Sequence, residues 1–543
     1  MKIRCLVGVT ACLGVMVVPV ALGAGGDEAN RYIEAVRTFA DNVLQHGKDV
    51  YGPKPTPLFI DGLNVDTREP ATWKRKGEPW ILSNQASQQV LFRTLDGLTK
   101  LTGEPKYRQA ATDAIRYAFD NLHSPSGLLY WGGHWCYDAA TEKQVGEAYR
   151  HELKCNYPDY ELMWEVDAKA TRRFIEAFWD GHILDWSNLD MNRHGFYAKE
   201  MGNLWANEYK GGNVFFVGKG LTFVNTGSDL FYAAAILHKL AGEAGPLVWA
   251  KRMAHRYVET RNPKTGLGGY QYSRIQADRA QEQFGPEFGE KVLEGTLLET
   301  HHCNTRYGIV SLCQLHLGEM LGEAGKDFQQ WAIEDLTAYG KHAYKAETNS
   351  FLPMISDGTT LTGYVIKRDG YYGKKGTTLQ AAPADTLFFW AYAMAYRLSG
   401  DPFMWEMARD IGRGNGLGGI GSKPGAGGSL KMATRCSEPH ALFGFLDLYK
   451  KTGRRAYLEM AKRIGDNILK DRFHQGFFVA SKNLLFARVD SIEALALLHL
   501  AATIQGKPDV IPPYCGGRAY LHCPYDGIGR TYDFVAIYSQ RRK

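Results

Sequence analysis

Apolar residues return at helical spacing along much of this chain. Near its start Ile33, Val36, Ala40, Val43 and Leu44 share one face, and near its end Ala494, Leu497, Leu498 and Ala501 do the same. Between them a pattern repeats: an apolar helix, a turn holding Gly, then an aromatic followed closely by Ala on the next helix. It runs from Leu98 to Ala110, from Ala395 to Ala408 and from Leu448 to Ala461, with looser copies around Trp249-Ala250 and Trp331-Ala332. Gly ends the first helix with a left-handed cap, and Glu104-Pro105 or Asp401-Pro402 opens the next in the first two copies. So short a link makes the two helices antiparallel. Repeated helical hairpins predict an all-α-dominated (α/α) barrel or toroid. Aromatics within the stripes (Phe388, Phe389, Trp390, Tyr392) are read as interhelical packing.

Three glycine-rich, β-leaning stretches interrupt the helical period: Gly195 to Asn225, Asn262 to Gly289 and Phe351 to Gly376. They are too long for simple turns and carry Tyr, Trp, Lys and Arg, so β-containing arms are expected over one mouth of the barrel near 195–225, 262–289 and 351–376. No Pro- or Ser-rich linker divides the chain. Residues 27–543 are therefore expected to form one catalytic domain with these excursions.

In residues 1–23, Lys2 and Arg4 precede an apolar run that ends in Ala21-Leu22-Gly23, the pattern of a cleaved export signal. Pro19 and the lack of a cationic stop oppose a membrane anchor. A periplasmic or secreted protein, free of the membrane after cleavage, is expected. The formal charge is +6, from 64 Lys+Arg against 58 Asp+Glu, and losing Lys2 and Arg4 lowers it by two. That is too slight for a nucleic-acid partner, though a local basic cleft for an acidic polysaccharide is compatible with it. Seven cysteines follow the signal without a C-x-x-C pair, which opposes a zinc ribbon or thioredoxin-type site. Cys515 and Cys523 bracket a short glycine-containing segment and are the disulfide candidates. Cys136 and Cys155 read as packing residues.

Candidate chemistry concentrates between Tyr130 and Gly195, in Y-W-G-G-H-W from Tyr130, R-H-E-L-K-C-N-Y from Arg150 and M-N-R-H-G from Met191. Imidazoles from His134 and His194 with a carboxylate from Glu152 would make a mixed N/O site, which suits a first-row transition metal better than calcium. Arg193 would stand at its edge. Plainer readings exist: His134 as a turn histidine, Glu152 as a helix-start carboxylate, Arg193 as a carboxylate clamp. His151, next to Glu152, is the rival ligand.

These phrases resemble polysaccharide lyase family 2, the pectate lyases that act on polygalacturonate. Further matching phrases follow in order from Gly218, Val248, Gly266, Arg279 and Arg368, so the resemblance covers roughly Tyr32 to Gly506. It implies an (α/α)7 barrel, a manganese-type ion (cobalt or nickel being alternatives, calcium not) and cleavage by β-elimination, with Arg193 as the base. A guanidinium pKa of about 12.5–13.8 puts its neutral form roughly 6–8 kcal/mol uphill at about pH 8 before neighbouring positive charge helps.

Arg279, Gln283, Arg368, Tyr371, Tyr372, Lys374 and Lys375 are candidates for gripping neighbouring uronates, by charge-assisted bonds and aromatic stacking. The tail after Gly506 does not resemble the family, leaves barrel closure open and is not expected to touch substrate choice. A monomer is expected. One alternative is a glycoside hydrolase on a six-hairpin toroid using Asp185, Asp190 or Glu165. Another is a non-catalytic oligogalacturonate-binding protein.

Overall fold

The computed structural model describes residues 24–147, 150–197 and 200–542, so the expected export signal lies outside the described residues. Glycines in left-handed conformation turn the chain from one helix into the next, at Gly103 (φ 77°), Gly242 (φ 75°), Gly400 (φ 73°) and Gly453 (φ 67°). Pro105 and Pro402 then start the returning helix, Pro402 with the Asp401 carboxylate accepting from Phe403 N.

In chain order the helices are α1 (Ala24–His46), α2 (Gln89–Thr102), α3 (Pro105–Asn121), α4 (Tyr160–Val166), α5 (Ala168–His182), α6 (Val224–Ala241), α7 (Ala244–Glu259), α8 (Arg279–Phe288), α9 (Thr300–Cys303), α10 (Ser311–Leu321), α11 (Lys326–Ala343), α12 (Thr386–Ser399), α13 (Pro402–Gly414), α14 (Pro439–Thr452), α15 (Arg455–Asp471), α16 (Ile492–Ile504) and α17 (Asp533–Ala536). Among the described residues seven antiparallel pairs form: α2 with α3, α4 with α5, α6 with α7, α10 with α11, α12 with α13, α14 with α15, and α16 with α1. The first member of each pair lies in an inner ring. Burial marks this: α6 is buried without a break from Val224 to Leu237, polar in its first turns and apolar after them, and α12, apolar on nearly every side, from Thr386 to Tyr396. Because α16 packs on both α1 and α2, the two ends of the chain close the ring.

Short glycine turns join inner to outer helices at one end of the ring. The long connections run from an outer helix to the next inner one, so they gather at the opposite mouth, around the N-termini of the inner helices. There the strands Thr72–Arg75, Glu78–Ser83, Trp135–Asp138 and Lys143–Gly146 form an antiparallel sheet. The chain just past the expected 262–289 stretch joins the 351–376 stretch. Residues 279–298 pair with 353–379 through Leu297–Leu298 against Met354–Ile355, over a small core of Ala280, Phe284, Leu297, Ile355, Ile366 and Leu379. The second stretch was expected to lean toward strand; it contains α8 instead, because the Asp278 carboxylate accepts from Gln281 N and caps the run that follows.

The tail corrects one expectation. Cys515 and Cys523 are both buried free thiols, Cys515 in the main core beside the Tyr232 hydroxyl and Cys523 in a separate cluster with Trp73, Leu82 and Cys136. Each cysteine is drawn into a different apolar cluster, which keeps them from pairing. The tail also returns to the mouth that carries the long connections. No described helix is long and apolar enough to cross a membrane.

Candidate active site

Strand pairing assembles the site. Arg150–His151 pairs antiparallel with Gly195–Phe196, so Glu152, just after the first strand, meets Arg193 and His194, just before the second. The turn Gly132-Gly133 delivers His134 to the same point: Gly133 N donates to Glu152 O at 2.8 Å, and Gly132 has φ +129°. A Cβ on Gly132 would lie 2.4 Å from the Glu152 carbonyl, and one on Gly133 would lie 2.7 Å from its Oε2, so both positions need glycine.

His134 Nε2 is 2.7 Å from Glu152 Oε2, His194 Nε2 is 3.6 Å from Oε1, and one ligand atom from each residue falls within 4.8 Å of the others. Yet His134 Nε2 and both Glu152 oxygens are buried without a hydrogen-bond partner, so the atoms are close but not aligned to bond one another. Unsatisfied buried imidazole and carboxylate atoms facing a shared space are what a divalent cation would satisfy. His134 Nδ1 lies 2.7 Å from the His522 carbonyl. A carbonyl only accepts, so Nδ1 carries the proton and Nε2 keeps its lone pair for a ligand.

Burial and neighbouring charge set the state of the groups around it. Burial tends to raise the Glu152 pKa, but Lys154, Arg193 and His134 outweigh it and hold the carboxyl well below its usual range. Burial drives His194 down to about 3, leaving it neutral. Lys154 Nζ is 3.1 Å from Glu152 Oε2, and Arg193 Nε is 3.2 Å from Oε1. Burial works against the Arg193 charge, but the Glu152 carboxylate outweighs it and raises the guanidinium pKa.

The rival ligand lies outside this cluster. His151 faces the opposite side of its strand, as alternation requires, with Nδ1 3.1 Å from His182 Nε2 and its ring against Phe178. The carboxylates considered for a hydrolase have local partners: Asp185 accepts from Ser187, Asp190 from Lys219 N and Gly220 N, and Glu165 pairs with Arg108.

Among the candidate uronate contacts, Arg279 and Tyr371 stand nearest the triad. The Arg193 and Arg279 guanidiniums sit 5.3 and 5.4 Å from the Phe223 ring centre, and Tyr371, 46% exposed, covers Arg279 at 3.8 Å. Arg279 also pairs with Glu294 at 2.6 Å. Gln283 is engaged inside the arm, donating to Arg368 O and Gly373 O and accepting from Tyr372 N. Arg368 binds back to Gln283 O and Glu287, and the Tyr372 ring packs on Phe284. Lys374 pairs with Asp369 at 3.6 Å, Lys375 donates its backbone N–H to the same carboxylate, and both side chains are exposed.

Lys154 and the tail escaped the sequence reading. Lys154 was legible in principle, since Glu152 and Lys154 are two apart on an extended run and share a side. The tail carried no such signal, yet it walls the site. His522 N donates to Gly133 O at 2.6 Å, the His522 ring stands 5.4 Å from His134, and Tyr520 lies under the Lys154 ammonium at 4.5 Å. Arg530, paired with Glu147 at 2.8 Å, stands 3.4 Å from His134 Nδ1, and because both groups are donors it adds positive charge there rather than a hydrogen bond. The tail, which was not expected to touch substrate choice, thus stands directly against His134 and Lys154.

Comparison with known proteins adds an independent line. The profile of a family described as periplasmic pectate lyase matches residues 56–524. A pectate disaccharide-lyase of Dickeya dadantii (strain 3937) is 30% identical over 95% of this chain and 97% of its own length. Solved structures with related outlines include an α-1,2-mannosidase from Trichoderma reesei (TM-score 0.49, 11% identity, 91% of this chain and 96% of that one). A D-mannose isomerase also aligns (TM-score 0.44, 13% identity, 71% and 85%).

Proposed function

This chain belongs to the periplasmic pectate lyase family and is a polysaccharide lyase, and on that premise we propose that it cleaves α-1,4-linked polygalacturonate or its oligomers by metal-assisted β-elimination, leaving 4,5-unsaturated products. One observation carries the proposal: ligand atoms of His134, Glu152 and His194 lie within 4.8 Å of one another, His134 Nε2 and both Glu152 oxygens are buried without a hydrogen-bond partner, and an arginine stands 3.2 Å from the same carboxylate. Residues 1–23, with their export-signal pattern, make the periplasm or the exterior the matching location.

His134, Glu152 and His194 would hold the ion, manganese first, with cobalt or nickel as alternatives and calcium disfavoured by the imidazoles. When bound, the ion supplies positive charge that neutralises the uronate carboxylate and makes its C5 proton more acidic. The side chains divide the remaining work. Arg279 binds the carboxylate of an adjoining uronate, and the exposed ring of Tyr371 stacks on sugar. Gln283, Arg368 and Tyr372 keep the arm in place for them, and Lys374 and Lys375 add positive charge at its outer edge.

Arg193 takes the C5 proton, the electron pair left on C5 forms the C4–C5 double bond as the C4–O4 bond breaks, and the leaving O4 takes a proton from solvent water. In the resting site Glu152 favours the charged guanidinium, so neutral Arg193 is scarce. Positive potential from Lys154 and Arg279 lowers the cost of reaching it, and each unit of rising pH lowers it by about 1.4 kcal/mol.

The direct test is polygalacturonate incubated with and without a chelator while ultraviolet absorbance of the unsaturated product is followed. Activity should vanish on chelation and return with manganese better than with calcium. Arg193→Lys should move the alkaline limb of kcat/KM to lower pH, because lysine has the easier reference pKa of about 10.4. An Arg193→Ala enzyme that keeps most of its turnover with metal bound would remove Arg193 from the base role.

A further inference from the structure

The mouth that carries the triad also opens into a cavity of about 380 Å³ at the N-terminal ends of α14 and α16. Its size suits a sugar or two rather than a water cluster. Phe534 lines it and connects it to the triad. The His522 ring, 5.4 Å from that of His134, stacks on Tyr532 at 4.2 Å and 13°, and Tyr532 stacks on Phe534 at 5.0 Å and 11°. Phe534 ends this stack, and although its neighbour covers it on one side it is 44% exposed. A buried aromatic core would not leave its last ring open; a polymer track would.

Charge in the cavity is unevenly satisfied. Arg472 is committed to Glu438 and Glu493, and Arg488 to Asp533 at 2.6 Å. Arg518, exposed and lining the same cavity, makes no hydrogen bond and no ion pair among the described residues. The Asp490 carboxylate accepts from Val90 N and Leu91 N through Oδ1, and burial raises its pKa to about 6 against the opposing charge of Arg518, which comes near without forming an ion pair. Arg518 is two residues from Tyr520, whose ring touches Tyr532 and Phe534 and carries the Lys154 ammonium. Arg518 and Phe534 line one cavity, and the stack from Phe534 through Tyr532 and His522 leads from it to His134, so this guanidinium, which forms no ion pair, borders the same surface as the triad.

We propose that this cavity is a remote subsite for the acidic polymer, in which Arg518 binds the carboxylate of a uronate beyond those flanking the scissile bond while Phe534 stacks on its sugar face. The proposal rests on the lyase reading above. It assigns the site a requirement for a free carboxylate at that position, because a methyl ester or neutral sugar offers guanidinium no charge-assisted pair.

The experiment compares kcat/KM on polygalacturonate with that on an oligogalacturonide too short to reach the cavity, for the full-length enzyme and for R518A, R518K and F534A. R518A should lower the long-to-short ratio by about tenfold to a hundredfold, the scale of a lost hydrogen bond to a charged group. R518K should recover part of it, and F534A should lower the ratio on its own. The same loss on both substrates, or no loss in either R518A or F534A, overturns the subsite. If R518A does not fold, F534A and R518K decide. A wild-type enzyme inert on every uronate substrate would overturn the lyase reading and this subsite with it, whereas an active wild type with unaffected variants overturns the subsite alone.

Discussion

Two walls face each other across the triad, and they are built differently. The arm that carries Arg279 and Tyr371 has a core of its own around Ala280, Phe284 and Ile366, and Gln283 and Arg368 knit its backbone together. The tail has no separate core. It borrows one by packing Leu521, Cys523, Ala536 and Ile537 on Trp73, Leu82 and Cys136, and its backbone is bonded directly to the turn that holds His134. A wall with its own core can change its grip without disturbing the ligands. A wall that shares hydrogen bonds with a ligand cannot, so tail changes should reach the metal and arm changes should stop at the substrate.

Removing what both walls serve sets the floor of the comparison. His194→Ala should strip the bound metal and lower kcat/KM by about a thousandfold or more, the scale of losing a dominant electrostatic contribution, read by metal analysis beside turnover. The tail comes next. Tyr532→Ala removes the ring stacked on His522, whose carbonyl fixes the His134 tautomer. Metal affinity should weaken by about ten- to a hundredfold, as when an outer partner of a ligand is lost. Metal competition measures it. On the other wall, Arg279→Ala should lower kcat/KM on polygalacturonate by about tenfold to a hundredfold with metal affinity intact. If Arg279→Ala weakens the metal as much as Tyr532→Ala does, the two walls are not distinct.

The same contrast explains what was readable in the sequence. Hairpins were legible because each is local: a glycine in left-handed conformation, a proline at the next start and a stripe at helical spacing lie close together along the chain. The inner helices were less so. On α16 the stripe Ala494, Leu497, Leu498 and Ala501 marks a helix, but Leu495, Ala496, Leu500 and Ala502 between them are buried too, so the stripe does not tell which face turns to the core. In the site, His134, Glu152, Arg193 and His194 stood out through their motif phrases, and the structure brings the three ligand atoms together. The choice between Glu152 and His151 turned on strand alternation. Tyr520, His522, Arg530 and Tyr532 were missed because their work depends on contacts far away in the chain, such as that between His522 and His134, and no local pattern marks such a partner. Cys515 and Cys523 misled for the converse reason: nearness in sequence suggested a pair that two separate cores keep apart.

The smallest effect expected concerns the ring that both walls stand on, and it separates loss of the scaffold from loss of the site at acid pH. Burial lowers His182, His440 and His499 to about 4 and His316 to about 3, from an ordinary value of 6.5. Between those values the unfolded chain binds protons that the folded chain refuses. Stability is therefore complete above about pH 6.5 and falls as pH drops toward 4, each such histidine adding up to about 1.4 kcal/mol per pH unit to the slope. In the site, His194 stays neutral down to about 3 and Glu152 stays ionised, so neither wall should lose its ligands first. Denaturant unfolding and metal content followed together from neutral pH to about 4 should show stability falling while the remaining folded enzyme keeps its metal. His316→Gln isolates one contribution, since glutamine preserves a polar side chain without a proton to bind. Its overall stability is free to shift, but its slope against pH should flatten by roughly one proton's worth, about 1.4 kcal/mol per unit. An unchanged slope would mean that His316 does not drive the acid response; metal lost before the fold weakens would move the acid limit from the ring to the walls.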